Sequence, residues 1–123
     1  MELNEITEKI IGCAIKVHRV LGSGLLESTY EVCLVHELNK AGLNVRSQVA
    51  LPVVYDGVTL EAGYRIDLLV EESVIVELKA VDSIHPIHEA QVISYLKLSG
   101  KKVGLLINFN VKMLKDGIRR LVN

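Results

Sequence analysis

The sequence has few aromatic residues, few cysteines and few prolines. It contains four Tyr, one Phe and no Trp in 123 residues, so any core must be built mainly from Leu, Ile and Val. Half of the residues are hydrophobic, which is more than disordered chains carry. No apolar run is long enough to span a membrane. These properties predict one globular domain over residues 1–123 that does not act at a membrane.

Cys13 and Cys33 are the only cysteines, and both fall within helical patterns. We therefore expect reduced, buried thiols and a cytoplasmic location. The mean hydropathy of +0.33 predicts an exposed apolar patch. Such a patch favours a homodimer or a protein partner as a hypothesis.

Charge is unevenly distributed along the chain. The net charge of −1 argues against a strongly basic nucleic-acid binder. Residues 1–79 hold seven Lys/Arg and twelve Asp/Glu, a net of −5, whereas residues 80–123 hold seven and three, a net of +4. The second part predicts a weakly basic side that can face a polyanion, and an ordinary solvated surface is the alternative.

Hydrophobic periodicity predicts the element order ααβββαβα. Helices are expected over 4–21 and about 25–41, strands over 44–55, 58–70 and 73–80, then a helix over about 86–99, a strand over 102–109 and a last helix over 112–122. Asp56-Gly57 is a hairpin signal, and Pro52 predicts an edge strand or a bulge. The expected fold is α/β (α+β), a mixed β-sheet of about four strands flanked by helices.

Arg65, Asp67, Glu77 and Lys79 interrupt the apolar hairpin at residues 63–80. A three-residue turn at 71–73 would set Asp67 opposite Glu77, with Cβ atoms about 4.5–5.5 Å apart. Two carboxylates this close repel each other unless a cation lies between them, and a divalent metal suits carboxylate oxygen. The alternative is two surface ion pairs that contribute little stability.

Leu69 and Ile75 share the strand face of these charges, whereas alternation assigns Ile66 to the opposite, core face. A freely solvated face seldom carries two such apolar residues, so we expect it to be partly covered. The third helix can cover it with Gln91 and Tyr95, which are spaced i, i+4 and share one helix face.

Together these residues resemble the PD-(D/E)XK nuclease superfamily. The pattern is a Glu on the preceding helix, an Asp, a Glu-x-Lys and a Gln-x-x-x-Tyr on the following helix: Glu27, Asp67, Glu77-Leu78-Lys79, Gln91 and Tyr95. More narrowly, the stretch from Gly24 to Tyr30 resembles the GxxExxY family. Their order and spacing make the match specific.

The resemblance implies a restriction-endonuclease-like core and a nuclease that hydrolyses phosphodiester bonds of DNA or RNA. It implies that Asp67 and Glu77 bind Mg²⁺ or Mn²⁺, with the Leu78 carbonyl as a further ligand. It also implies that Glu27 helps to hold the metal, directly or through water.

The remaining roles implied by the resemblance fall on Lys79, Gln91 and Tyr95. Lys79 would activate the attacking water and offset charge at the phosphate, while Gln91 and Tyr95 would orient the site or contact phosphate. Ile66 stands where the superfamily pattern has proline. Because the superfamily also includes members that do not cut, a non-catalytic nucleic-acid-binding or protein-interaction module is the alternative.

Two pairs of His and Cys residues have spacings that could suit a zinc site: His85 with His88, and Cys33 with His36. Structural zinc sites usually come from short, repeated Cys/His knuckles. These pairs fall on different elements, so the sequence disfavours zinc.

Overall fold

A mixed five-stranded sheet lies at the centre of the chain, in a computed structural model that describes residues 1–123. The elements are α1 (Leu3–Leu21), α2 (Glu27–Lys40), β1 (Val45–Ala50), β2 (Val53–Tyr55), β3 (Val58–Leu60), β4 (Arg65–Val70), β5 (Val74–Lys79), α3 (Pro86–Ser99), β6 (Val103–Asn108), a 3₁₀ helix (Leu114–Gly117) and β7 (Ile118–Val122). The sheet order is β1-β4-β5-β6-β7, with β5 parallel to β6 and the other pairs antiparallel. The predicted mixed sheet flanked by helices is confirmed, with five strands rather than four.

Helices cover both faces of the sheet. The predicted stripe on α1 is buried at Ile6, Ile10, Ala14 and Val17, and together with α2 it forms the larger core cluster. The smaller cluster packs α3 against the opposite face. No helix combines the length and apolarity needed to cross a membrane.

The region around Pro52 forms two strands where the sequence predicted one. β1 ends at Ala50, and β2 then pairs only with β3 in a separate hairpin. Asp56 and Gly57 form its turn with φ values of +50° and +76°, as a two-residue hairpin turn requires. β1 is an edge strand, as Pro52 indicated.

The predicted helix over 112–122 is wrong. Its residues form the 3₁₀ helix and β7, which pairs with β6. The spacing of Ile118 and Leu121 suggested one helical face, but in a strand these residues point to opposite faces. Helices cover both faces, so each residue packs against a different core cluster. β7 also pairs the backbone of β6, which would otherwise be an open edge.

Gly117 is a sensitive point in this last segment. A Cβ at Gly117 would overlap the backbone carbonyl oxygen of Asn108, which cannot rotate away. We expect Gly117→Ala to lower the free energy of unfolding by about 1–3 kcal/mol in urea denaturation. Gly12→Ala is the control: it lies in α1, where an added Cβ meets nothing within 4 Å, and should not destabilise the protein. Equal stabilities of the two variants would contradict this packing.

Candidate active site

The sheet opens between β4 and β5 at Asp67 and Glu77. The regular pairing of these strands extends from the turn to Leu68 and Val76, in the predicted register. Beyond it, the Asp67 N–H donates to Glu77 Oε1 at 3.0 Å, and the Leu78 N–H donates to Asp67 Oδ2 at 2.9 Å. Carboxylate oxygens thus take the place of carbonyl acceptors, and two acidic side chains converge where the strands separate.

Glu77 is the most electrostatically perturbed group of this site. Only 4% of the residue is exposed. Burial, followed by the negative charge of Asp67, raises the pKa of Glu77 to about 8, even though the hydrogen bond from the Asp67 backbone and the Lys79 ammonium act to lower it. A carboxyl with this pKa is largely protonated at neutral pH unless a cation binds beside it.

Ile66 does not follow the predicted alternation. It was expected on the core face with Leu68, but it packs with Leu69 in the cluster under α3. The neighbouring strand shows why: Gln48 of β1 lies opposite Asp67, has φ of +53°, and breaks the β1–β4 pairing at that point. The sheet is therefore distorted on both sides of Asp67.

Glu27 approaches the site from the helix layer of α1 and α2. It is the first residue of α2, and its Oε2 accepts a hydrogen bond from the Ala80 N–H at 3.3 Å. Ala80 directly follows Lys79 at the end of β5. Glu27 is exposed, so its carboxylate can reorient toward the space in front of β5.

Tyr30 holds the loop that precedes Glu27. Its ring is fully buried and stacks on Phe109 with ring centroids 4.5 Å apart. Its hydroxyl donates to the Gly22 carbonyl at 2.6 Å and accepts from the Leu25 N–H at 3.2 Å. Glu27 and Tyr30 are separated by about one turn of α2, so they lie on the same side of the helix. Tyr30 therefore fixes the loop that leads directly into Glu27.

Replacement of Tyr30 by Phe should weaken this anchor. The variant keeps the ring stack but leaves the Gly22 carbonyl and the Leu25 N–H without their partner. We expect a loss of about 1–2 kcal/mol in the free energy of unfolding, measured by urea denaturation. Tyr55→Phe, at an exposed tyrosine, is the matched control and should leave stability unchanged. Equal midpoints for both variants would show that the hydroxyl does not stabilise the loop.

Glu31 and Gln48 are site residues that the sequence analysis missed. Gln48 Nε2 donates to Glu31 Oε1 at 2.9 Å and lies 3.4 Å from Asp67 Oδ1. Burial raises the pKa of Glu31, and the negative charge of Asp67 raises it further. Glu31 follows Glu27 by one helical turn, and this i, i+4 spacing was the available signal.

Gln91 and Tyr95 lie on the α3 side of the same opening. Gln91 Nε2 donates to Tyr95 Oη at 3.1 Å. Burial raises the pKa of Tyr95, and the negative charge of Glu77 raises it further, so the phenol stays protonated beside the carboxylates. Tyr64 packs edge-on against Tyr95, with ring centroids 6.1 Å apart.

Half-buried Lys79 forms no ion pair.

Asn108 is a third missed residue. It lies beside Lys79 in the parallel pairing of β5 and β6 and is almost fully buried. Its Oδ1 accepts from the Val81 and Asn110 N–H groups, and its Nδ2 donates to the Val81 carbonyl at 2.9 Å. Asn108 therefore fixes the path of the chain immediately after the Lys79 strand.

Comparison with known proteins agrees with this geometry. The sequence model of the PD-(D/E)XK nuclease superfamily matches residues 4–121. The chain belongs to this superfamily. No curated protein and no solved structure gives a significant match. Members of the PD-(D/E)XK superfamily that are nucleases generally use divalent metals.

The donor set fits a hard divalent cation. No three His, Cys, Asp or Glu side chains are close enough together to hold a metal by themselves. Asp67 and Glu77 nevertheless supply two converging carboxylates, whose oxygens are ligands of the kind that Mg²⁺ and Mn²⁺ prefer. The buried Glu77 also needs a cation in order to be charged at neutral pH.

The His and Cys residues form no comparable set. His88 Nδ1 accepts a hydrogen bond from the His85 N–H at the start of α3, which accounts for this pair structurally. Cys13 and Cys33 are free and only half-buried.

Proposed function

We propose that this chain is a metal-dependent nuclease that hydrolyses phosphodiester bonds of DNA or RNA, with residues 1–123 as a single nuclease-like domain. Asp67, Glu77 and the Leu78 carbonyl would hold Mg²⁺ or Mn²⁺, and Glu27 would complete the site, directly or through water. The sequence makes three further predictions: that the chain belongs to the GxxExxY subfamily, that it is cytoplasmic, and that it forms a homodimer.

The observation that carries the proposal is the pair of carboxylates at the opening of the sheet. The charged form of Glu77 is unfavourable here, because burial and the negative charge of Asp67 both oppose its ionisation. A cation bound between the two carboxylates would offset that cost. Perturbed acids grouped with a free Lys in an open part of the fold are typical of catalytic sites. Membership of the superfamily supports the same chemistry.

The residues of the chain would divide the work as follows. A divalent cation bound here supplies Lewis acidity at a phosphate oxygen. Lys79, which has no anionic partner, is free to contact the phosphate and stabilise the negative charge that develops there. Tyr95 and Gln91, already hydrogen bonded to each other, would orient the strand from the α3 side.

One observation favours the alternative of a non-catalytic binding module. Asp67 and Glu77 accept hydrogen bonds from backbone N–H groups of the opposing strands, so they are partly satisfied without any metal. In that case the opening would be structural, and nucleic acid or protein would bind without being cut.

Metal titration with Asp67→Ala separates the two functions. Mg²⁺ and Mn²⁺ are titrated into the parent and the variant by calorimetry, and both are then incubated with single-stranded DNA, double-stranded DNA and RNA. We expect metal binding and cleavage to disappear together in Asp67→Ala. Glu61→Ala removes an exposed carboxylate that has no hydrogen-bond or ion-pair partner and should behave as the parent. If the parent binds neither metal, the binding-module alternative is favoured.

A further inference from the structure

A cleft of about 580 Å³ lies outside the carboxylate site, between the end of α1 and the segment that follows β6. Three cationic side chains line it: Arg19 from α1, and Lys112 and Lys115 from the β6–β7 connection. No Asp or Glu is among its lining residues. A hydrogen bond of 2.8 Å between His18 Nε2 and the Val111 carbonyl joins the two walls.

The three cations have no anionic partner in the fold. The ion pairs of the structure involve only Lys16, Lys40 and Arg46 among the basic residues. Asp116 is next to Lys115 in sequence, but it does not line the cleft. A concave surface with three unpaired positive charges raises the local concentration of anions.

The cleft lies at the same end of the sheet as the carboxylate site. β5 and β6 are parallel, and Lys79 pairs with Asn108 at their carboxyl ends. Lys112 follows Asn108 by four residues, which limits the distance between their Cα atoms to about 14 Å. On the other wall, Gly22 and Ser23 belong to the loop that leads into Glu27.

From this placement we infer that the cleft of Arg19, Lys112 and Lys115 binds a backbone phosphate of the nucleic-acid strand, at a distance from the phosphate that is cut. The inference rests on the proposed function and assigns its substrate contact. It also assigns a role to two of the basic residues in the segment 80–123, Lys112 and Lys115. The dipole of α1 places about half a negative charge at its carboxyl end, which repels an anion. The three full positive charges of the cleft outweigh this repulsion.

The test is the salt dependence of oligonucleotide binding. Lys112→Gln/Lys115→Gln is compared with the parent by fluorescence anisotropy, using a labelled single-stranded DNA in EDTA so that no cutting occurs. We expect about tenfold weaker binding at low salt. We also expect the slope of log Kd against log salt concentration to fall by about 1.4, because two lysine contacts are lost and each contributes about 0.7 on a single strand.

Lys101→Gln/Lys102→Gln is the matched control, since it changes the net charge equally. These lysines precede β6 and lie at the other end of the sheet, near Glu72. We expect the control to bind almost as the parent does. An equal loss of affinity in both double variants would indicate only a general charge effect and would overturn the inference.

Two further outcomes separate this inference from the proposed function. If the parent cleaves oligonucleotides but Lys112→Gln/Lys115→Gln binds them as tightly as the parent, the inference fails and the nuclease stands. Calorimetry with inorganic phosphate tests whether the cleft binds a small phosphorylated ligand instead of a nucleic-acid strand. Phosphate binding that is lost in the variant, with oligonucleotide affinity unchanged, would assign a small phosphorylated ligand instead and would overturn the inference.

Discussion

Glu77→Gln should make the metal-free protein more stable at pH 8 than the parent while it abolishes cleavage. In the folded parent the pKa of Glu77 is raised to about 8 from an ordinary 4.5, mainly by burial. The folded state therefore holds this proton more tightly than the unfolded state. The stability that the proton provides is complete below pH 4.5 and is lost as the pH rises to about 8. This loss is a few kcal/mol, at most roughly 5.

The amide of Gln does not titrate, so the variant should lack this pH dependence. Urea denaturation of both proteins between pH 5 and 9 in EDTA measures the difference. Glu61→Gln, at an exposed and unpaired carboxylate, should reproduce the profile of the parent. A parent whose stability does not fall across this range would show that Glu77 is not held protonated by its surroundings.

Metal should reverse the effect in the parent only. A cation bound to the folded state stabilises it in proportion to the logarithm of metal concentration over Kd. Millimolar Mg²⁺ at pH 8 should therefore restore stability to the parent and leave Glu77→Gln unchanged. Cleavage by the variant should fall by at least about 100-fold, as when one electrostatic contact to the transition state is lost. A variant that cuts as fast as the parent would remove Glu77 from the site.

The central hairpin could be predicted from the sequence because one turn determines its register. Glu71 and Glu72 both adopt positive φ, and the three-residue turn aligns Val70 with Val74. The pairs as far as Leu68 and Val76 then follow. Regular pairing ends there, and Asp67 and Glu77 are linked to the opposing strands through hydrogen bonds to their carboxylates instead. The helix stripes were equally predictable, since Ile6 and Ile10 are buried where the periodicity placed them.

The predictions from the sequence were wrong where the local hydrophobic pattern favours one structure and the tertiary environment favours another. Ile118 and Leu121 have helical spacing, but a strand with both faces covered buries them equally well. Ile66 changed faces because Gln48 distorts the neighbouring strand, which no periodicity in β4 reveals.

The missed site residues depend on contacts between distant segments. Asn108 bonds with Val81 across 27 positions, and Gln48 joins Glu31 across 17. Neither polar side chain belongs to a short motif. The sequence therefore indicated candidate residues for the chemistry, and it did not indicate which residues hold them in place.

Lys79→Met is the substitution that best separates catalysis from metal binding. Met keeps most of the aliphatic length of Lys and removes only the ammonium, so the half-buried stem still packs. Lys79 is not a metal ligand in the proposed site, and calorimetry should still detect Mg²⁺ binding. The Lys79 charge lowers the pKa of Glu77, so its removal should shift metal binding toward higher pH.

Cleavage by Lys79→Met should fall by about 100-fold or more at saturating metal, because the charge that develops on the phosphate loses its counter-charge. Lys97→Met, on the exposed side of α3, is the control and should cut normally. Loss of cleavage with metal binding intact assigns Lys79 to the chemical step. Loss of both activities would mean that Lys79 organises the carboxylates instead. A variant that binds metal and cuts like the parent would exclude Lys79 from the reaction and would leave the carboxylates as the only functional charges of the hairpin.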